Sequence, residues 1–290
     1  MTLLVRVNLM LAVVFVVATG TSAVVARRVL DDQAKREGLE TVQLMLASAA
    51  ATRKYTQEEI APLLTPQLAE RFVPQMVPAY SAHQTIERLR AEHPAFVYRE
   101  ATLNPTNPRD RASDWEADIV NQFRSDSSLK ELTGERMTAT GPSLFLARPL
   151  RVRTGDCLAC HGAVASAPAT MTAIYGGTNG FGWQMGETIG SQIMSVPMAA
   201  ALARADHNFN VFLGSIVTIF AVVFVIVNTM FHVLVLRPIS RMVDISEQVS
   251  SGDLTGPGFD PRGNDEIAQL GRSFERMRRS LAKSVSLLGG

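Results

Sequence analysis

Apolar positions along this chain fall into three patterns. Val7 to Ala26 is an unbroken run of 20 residues without a formal charge, which at 1.5 Å per residue spans about 30 Å, the hydrocarbon thickness of a bilayer. Val211 to Leu236 is a second run, of 26 residues, with Asn228 and His232 as its strongly polar members. Both predict membrane helices. The first has small residues in Thr19-Gly20-Thr21-Ser22-Ala23 that would suit a signal-peptide cleavage site. Its length and its single preceding Arg6 favour an uncleaved anchor instead. After the second run, Ile239, Met242, Ser246 and Val249 recur at steps of 3, 4 and 3, and Ile267, Leu270, Phe274, Met277 and Leu281 at 3, 4, 3 and 4. These are helical seams.

The stretch between the two runs mixes helical and alternating patterns. Leu39, Val42, Leu46 and Ala49 share one face of a helix predicted over 31–52, followed by a segment punctuated by Pro62, Pro66, Pro74 and Pro78. Ser81 to Glu92 predicts a helix ending before Pro94, and Phe96 to Leu103 a strand. Asn104-Pro105-Thr106-Asn107-Pro108 is a turn. Ser113 to Phe123 opens as a capped helix with Ser113 three residues before Glu116. Leu144 to Val152 and Glu187 to Val196 alternate as strands, and an Ala-rich helix leads back to the second apolar run. Helices, then a sheet, then a return to a membrane helix predict an α+β, PAS-like fold for about 180 residues, enough for one core.

Composition adds little to this picture. Hydrophobic residues make up 47% of the chain and charged ones 19%, and the formal net charge is +1. That balance gives no long-range reason to expect nucleic acid as a partner. No carboxylate pair, catalytic triad or phosphate loop stands out, so an enzyme is not expected. Asp265-Glu266 opens the last helical seam, where acids favour a helix N-terminus.

The two cysteines of the chain lie together in Cys157-Leu158-Ala159-Cys160-His161. This spacing is the attachment site of a c-type haem. Two thiols one helical turn apart add across the porphyrin vinyl groups, and the neighbouring imidazole ligates iron. A disulfide between Cys157 and Cys160 would close a very short loop and leave His161 without a role. A structural zinc site lacks a fourth ligand. A thioredoxin-like dithiol would follow a strand in a βαβ pattern, which is not visible upstream. One covalent haem c is therefore expected, and with it an exported location for the motif, because the thioethers are made outside the cytoplasm. Arg27, Arg28, Lys35 and Arg36 after the first run argue against export of the segment they open, and the haem motif outweighs them. The expected layout is a cytoplasmic tail over 1–6, a first membrane helix over 7–26, a periplasmic haem domain over 27–210, a second membrane helix over 211–236 and a cytoplasmic segment over 237–290, in a bacterial inner membrane.

That last segment, helix, Gly/Pro-rich connector over Gly252 to Gly263, and helix, resembles a HAMP domain. Arg237-Pro238, Gly252-Asp253-Leu254 and Asp265-Glu266-Ile267 with Leu270, Phe274 and Met277 carry the resemblance. Neither helix buries its seam alone, so a homodimer with a parallel four-helix bundle is expected. The chain stops at Gly290 just past the second helix, so output is expected from a separate cytoplasmic signalling protein or a longer parent chain.

The exported region resembles the PAS-like c-type haem sensor domain family, the Tll-type haem domain found ahead of HAMP segments in bacterial receptors. Arg53-Lys54-Tyr55-Thr56, Val77-Pro78-Ala79-Tyr80, Leu103 to Pro108, Trp115-Glu116, Ala147-Arg148-Pro149-Leu150, Cys157 to Gly162, and Gly180-Phe181-Gly182-Trp183 running on to Val196-Pro197 carry it, over about Leu39 to Met198. The resemblance implies a membrane-bound sensor of redox state or of a small gas ligand. The alternative is a membrane-anchored electron-transfer cytochrome c serving a redox partner, for which a HAMP-like cytoplasmic bundle would be idle. The sixth iron ligand is open among Met45, His83, His93, Met76, Met137, Met171, Met185 and no protein ligand; Met45 lies in the helix that the family places near the haem. Arg148, Arg151, Arg153, Arg53 and Lys54 are candidate partners of the haem propionates, with a solvated charge face as the alternative. Tyr175 and Trp183 are candidates to wall the porphyrin.

Overall fold

The structure is a computed structural model that describes residues 2–139, 141–253, 256, 258–259 and 263–288. Leu254 of the connector motif, Met1 and the terminal Gly290 lie outside the described residues. The chain divides into two units, Ala26–Phe209, and Met1–Val25 with Asn210–Gly290.

Within the first unit a four-stranded antiparallel sheet has the order β1-β4-β3-β2, from β1 (Val97–Thr102), β2 (Leu132–Thr138), β3 (Gly141–Arg151) and β4 (Thr188–Pro197). Alternation sends successive residues to opposite faces. Leu146, opposite Met194, joins a cluster with Val42, Leu46 and Ala49 of the long helix α1 (Leu3–Tyr55), Tyr98, Met198 and two residues, Ala82 and Ile86, from a further helix. Ala147, opposite Ile193, joins Ala101, Ile119 and Phe123 on the other face. Continuing in chain order, α2 is Ala61–Leu64, α3, the source of Ala82 and Ile86, is Pro78–Glu92, and α4, the source of Ile119 and Phe123, is Asp114–Ser125. The expected face of the first helix holds: Val42, Leu46 and Ala49 are fully buried, and Leu39 packs against them. The capped start of α4 holds too, with the Glu116 carboxylate accepting from both the amide and the hydroxyl of Ser113 at 2.8 Å.

Strand β2 has no counterpart in the sequence pattern. Its partly buried positions include Gly134 and Arg136, which carry no apolar signal. Phe145 of β3 fills the space over Gly134, where a β-carbon would lie 2.7 Å from its ring. The Arg136 guanidinium lies 4.0 Å from the Trp115 ring centroid, a cation–π contact in place of an apolar one.

The prolines break helices less than expected. A π-type turn, Thr56–Ile60, precedes α2 with Pro62 in its first turn, and Ala61 donates to the Thr56 carbonyl. Short 3₁₀ turns then carry the chain through Pro66 and Pro74. After the short helices α5 (Gly155–His161) and α6 (Ala169–Tyr175), helix α7 runs Ala199–Phe231. A second π-type turn, His232–Leu236, leads into α8 (Arg237–Ser250), which has Pro238 in its first turn. Each wider turn makes room for a proline ring that would clash with the carbonyl four residues before it. Arg237-Pro238 thus ends the apolar run without ending the helical path.

In the second unit, two helices are long and apolar enough to cross a membrane. Phe15 and Phe220 of these runs stack with centroids 4.6 Å apart. Met242 and Ile245 of α8 are buried with Phe259, and Val249, Ile267 and Phe274 pack against them. Ile245 therefore takes the place expected for Ser246, which is exposed. The polar side chain turns to water and the adjacent apolar one turns in. On α9 (Glu266–Leu288), Leu270, Met277 and Leu281 stay 55%, 63% and 47% exposed in the single chain.

Candidate functional site

Helix α5 presents Cys157 and Cys160 one turn apart, both half-buried and neither in a disulfide. His161 closes the same helix. Its Nδ1 lies 2.7 Å from the Gly180 carbonyl oxygen and 3.3 Å from the Thr106 hydroxyl. A carbonyl only accepts, so Nδ1 carries the proton and donates to Gly180. The neutral ring then has its lone pair on Nε2, which makes no hydrogen bond among the described residues. Burial pushes the His161 imidazole below its ordinary pKa, and the bond to Gly180 opposes that shift. The result is a neutral imidazole of fixed tautomer with one nitrogen ready to bind a metal.

Trp183 stacks on the His161 ring at 3.9 Å with 13° between planes. Backbone bonds reinforce the pairing: Trp183 donates to the His161 carbonyl at 3.1 Å, and Gly182 to that of Gly162 at 2.8 Å. Gly180, at φ +80°, is packed so tightly that a β-carbon would fall 1.9 Å from the Thr106 hydroxyl. Thr106 and Gly180 complete the site, and the sequence pattern gave neither a role at His161. Each lies in a segment that carries the family resemblance, but they stand 55 and 19 residues from His161.

A hydrogen bond ties the motif to the extension of α1. Gln57 donates to the Thr154 hydroxyl at 3.0 Å, just ahead of α5. Arg53 of α1 pairs instead with Glu100 of β1. Glu100 also accepts from the Tyr98 hydroxyl at 2.6 Å, which accepts in turn from Gln192 of β4 at 2.9 Å.

The other sequence candidates are dispersed. Arg148 pairs with Glu131 at 3.3 Å, and Arg151 donates to the carbonyls of Ser127 and Leu129. Lys54 lies 3.9 Å from Glu58 on the helix surface, and Arg153 is exposed. Tyr175 meets Phe72 edge-on at 5.8 Å. Met45 packs against the core cluster of α1, α3 and the sheet. His83 lies 4.0 Å from Glu87 on α3, and burial followed by the charge of Arg109 lowers its pKa. Met171 is buried in α6, Met76 is half-buried, and Met137, Met185 and His93 are exposed. Of the candidates beyond the pentapeptide, Trp183 alone meets His161 in a ring contact among the described residues.

Chemically, the site offers two thiols on one helical turn and an imidazole nitrogen beside them. That donor set can tether a vinyl-bearing macrocycle and ligate its metal from one side. Among curated proteins, none matches this chain. A solved structure, that of the cyanobacterial heme-protein Tll0287, matches with 20% identity over 56% of this chain and 95% of that one, at a TM-score of 0.45. Residues 231–283 match the HAMP domain. Residues 31–197, more than half of the chain, match the Tll0287-like family model, and the chain belongs to that family.

Proposed function

We propose that this chain is a membrane-bound haem-c sensor that detects redox state or a small ligand on the exported side and passes the change through α7 to its HAMP domain. One observation carries the reading: His161 presents an Nε2 that makes no hydrogen bond among the described residues, beside two thiols at i and i+3 outside any disulfide, in a chain that also matches HAMP. The donor set fits a haem c, which Cys157 and Cys160 would tether and whose iron His161 would ligate. A bound haem supplies a one-electron couple and a coordination position that ligands can compete for. The residues of the chain do the rest. The Gly180 carbonyl fixes the tautomer, Trp183 stacks on the ring, and β4 leads from the site to α7. The sheet with helices on both faces supports a PAS-like arrangement for the exported domain in the periplasm. The exposed seam of Leu270, Met277 and Leu281 supports a homodimer through HAMP acting on a cytoplasmic partner.

The test is the full chain matured in a host competent for cytochrome c assembly. Pyridine haemochrome spectra and intact mass should show one covalent haem, lost in C157S/C160S. A bare polypeptide mass in the wild type would overturn the reading. A CO- or NO-induced shift of the Soret band would support ligand sensing. An unreactive haem poised at a quinol-pool potential would favour the anchored electron carrier instead.

A further inference from the structure

We infer that Trp183 is the positioning residue for the His161 ring and that the segment from Gly180 to Glu187 links that ring to strand β4; the inference rests on the haem-sensor reading. Both polar partners of the imidazole, the Gly180 carbonyl at 2.7 Å and the Thr106 hydroxyl at 3.3 Å, meet it at Nδ1, so they hold it at one atom and leave it free to rock about that point. The indole face, stacked at 3.9 Å and 13°, removes that freedom. The ring plane is thereby fixed with respect to a backbone that is itself bonded to His161 and Gly162.

The same segment is anchored at its far end. Gly186 donates to the Val152 carbonyl at 2.9 Å, Val152 donates to that of Glu187 at 3.0 Å, and Arg124 donates to that of Thr188 at 2.8 Å. Gly182 at φ +77° and Gly186 at φ +82° flank the three residues Trp183, Gln184 and Met185. These left-handed positions give the segment two bends that other residues would resist. Two residues after Gly186, β4 begins at Thr188. It is paired on both sides, by β1 and β3, and ends at Pro197, one residue before Met198 and two before α7 starts at Ala199. A tilt of the His161 ring therefore presses first on the Trp183 face, and the strand that receives it leads into α7. A paired central strand transmits displacement with little internal give, which is what a coupling element needs.

The experiment uses the full-length, haem-matured chain in detergent, with the series Trp183→Phe and Trp183→Leu. Pyridine haemochrome spectra report haem content, EPR reports the geometry at the iron, redox titration gives the midpoint potential, and hydrogen exchange of 188–198 is compared between reduced and oxidised protein. Haem content should stay at the wild-type level. Trp183→Leu should shift the EPR g-values, change the oxidised-to-reduced ratio at the wild-type midpoint about tenfold, equivalent to about 59 mV for one electron, and erase the redox difference in exchange. Trp183→Phe, with a smaller face, should fall between. If Trp183→Leu fails to mature, Trp183→Phe decides alone. Haem-loaded variants that keep the wild-type g-values, midpoint and exchange difference overturn the inference while leaving the haem-sensor reading intact. Wild-type protein without haem overturns that reading, and the inference with it.

Discussion

The thioether sulfur of Met198 lies 2.8 Å from where a β-carbon on Gly38 would stand. Gly38 belongs to α1, and Met198 is the residue between β4 and α7, so the absent side chain lets the first helix close over the exit of the sheet. Leu144 fills the same corner, 3.6 Å from the same point. Gly38→Ala should change stability little. The gain in helix propensity of roughly 1 kcal/mol is offset by displacing a flexible methionine. Gly38→Leu should cost about 1–3 kcal/mol by overpacking. Chemical denaturation of the two variants distinguishes a close approach from an open groove.

The Arg53–Glu100 pair joins α1 to β1, with Glu100 8% and Arg53 27% exposed in their side chains. Glu100→Gln leaves the guanidinium without its charge partner and should cost about 2–3 kcal/mol, less than for a fully buried pair. The double variant Arg53→Met with Glu100→Gln keeps an acceptor for Tyr98 and should recover most of the loss. A double variant as unstable as the single one would show that the charge pair is not the source of the cost.

Gly180 and Gly182 both adopt left-handed backbone, but only Gly180 is crowded. Gly182→Ala should cost about 1–2 kcal/mol, the strain of the conformation alone. Gly180→Ala adds the clash with Thr106 and should cost about 2–5 kcal/mol, with loss of the His161 geometry. Equal unfolding midpoints for the two variants would contradict the close packing of Gly180 on Thr106.

Arg278, with Arg279 and the Phe259 amide, holds the Glu275 carboxyl at a pKa of about 2, below its ordinary value of 4.5. Because the folded value is the lower one, its contribution is complete above pH 4.5 and is lost as the pH falls toward 2. Between those limits the wild-type segment 237–288 should lose hydrogen-exchange protection more steeply than Glu275→Gln. Parallel acid profiles would show that the anchor contributes nothing to the segment's stability.

Met277 is 63% exposed in the single chain, on the stripe it shares with Leu270 and Leu281. A homodimer through this face should bring Met277→Cys within crosslinking distance of its copy in membranes. Arg276→Cys, one residue off the stripe, should crosslink several-fold less. Since both native cysteines would be thioether-bonded, the engineered thiol supplies the signal in matured protein. Equal crosslinking at both positions would argue against a defined seam.

Much of the molecule was legible in the one-dimensional pattern. The two apolar runs, the face of Val42, Leu46 and Ala49, the cap at Ser113 and the strands around Leu146 and Ile193 are local periodicities, and local periodicity survives without tertiary context. The placing of Cys157, Cys160 and His161 within one short helix was legible for a similar reason, because their spacing alone sets it. Strand β2 was not, since Gly134 and Arg136 gain their places only from Phe145 and Trp115 across the fold. The role of Ile245 over Ser246 was settled by which neighbour met Phe259 and Phe274. Above all, the tertiary structure decided what surrounds His161. Thr106, Gly180 and Trp183 meet there only because the turn after β1 and the segment before β4 converge on α5, and no spacing in sequence encodes a meeting of residues that far apart. The sequence determined which groups can do chemistry; the fold determined which of them stand together.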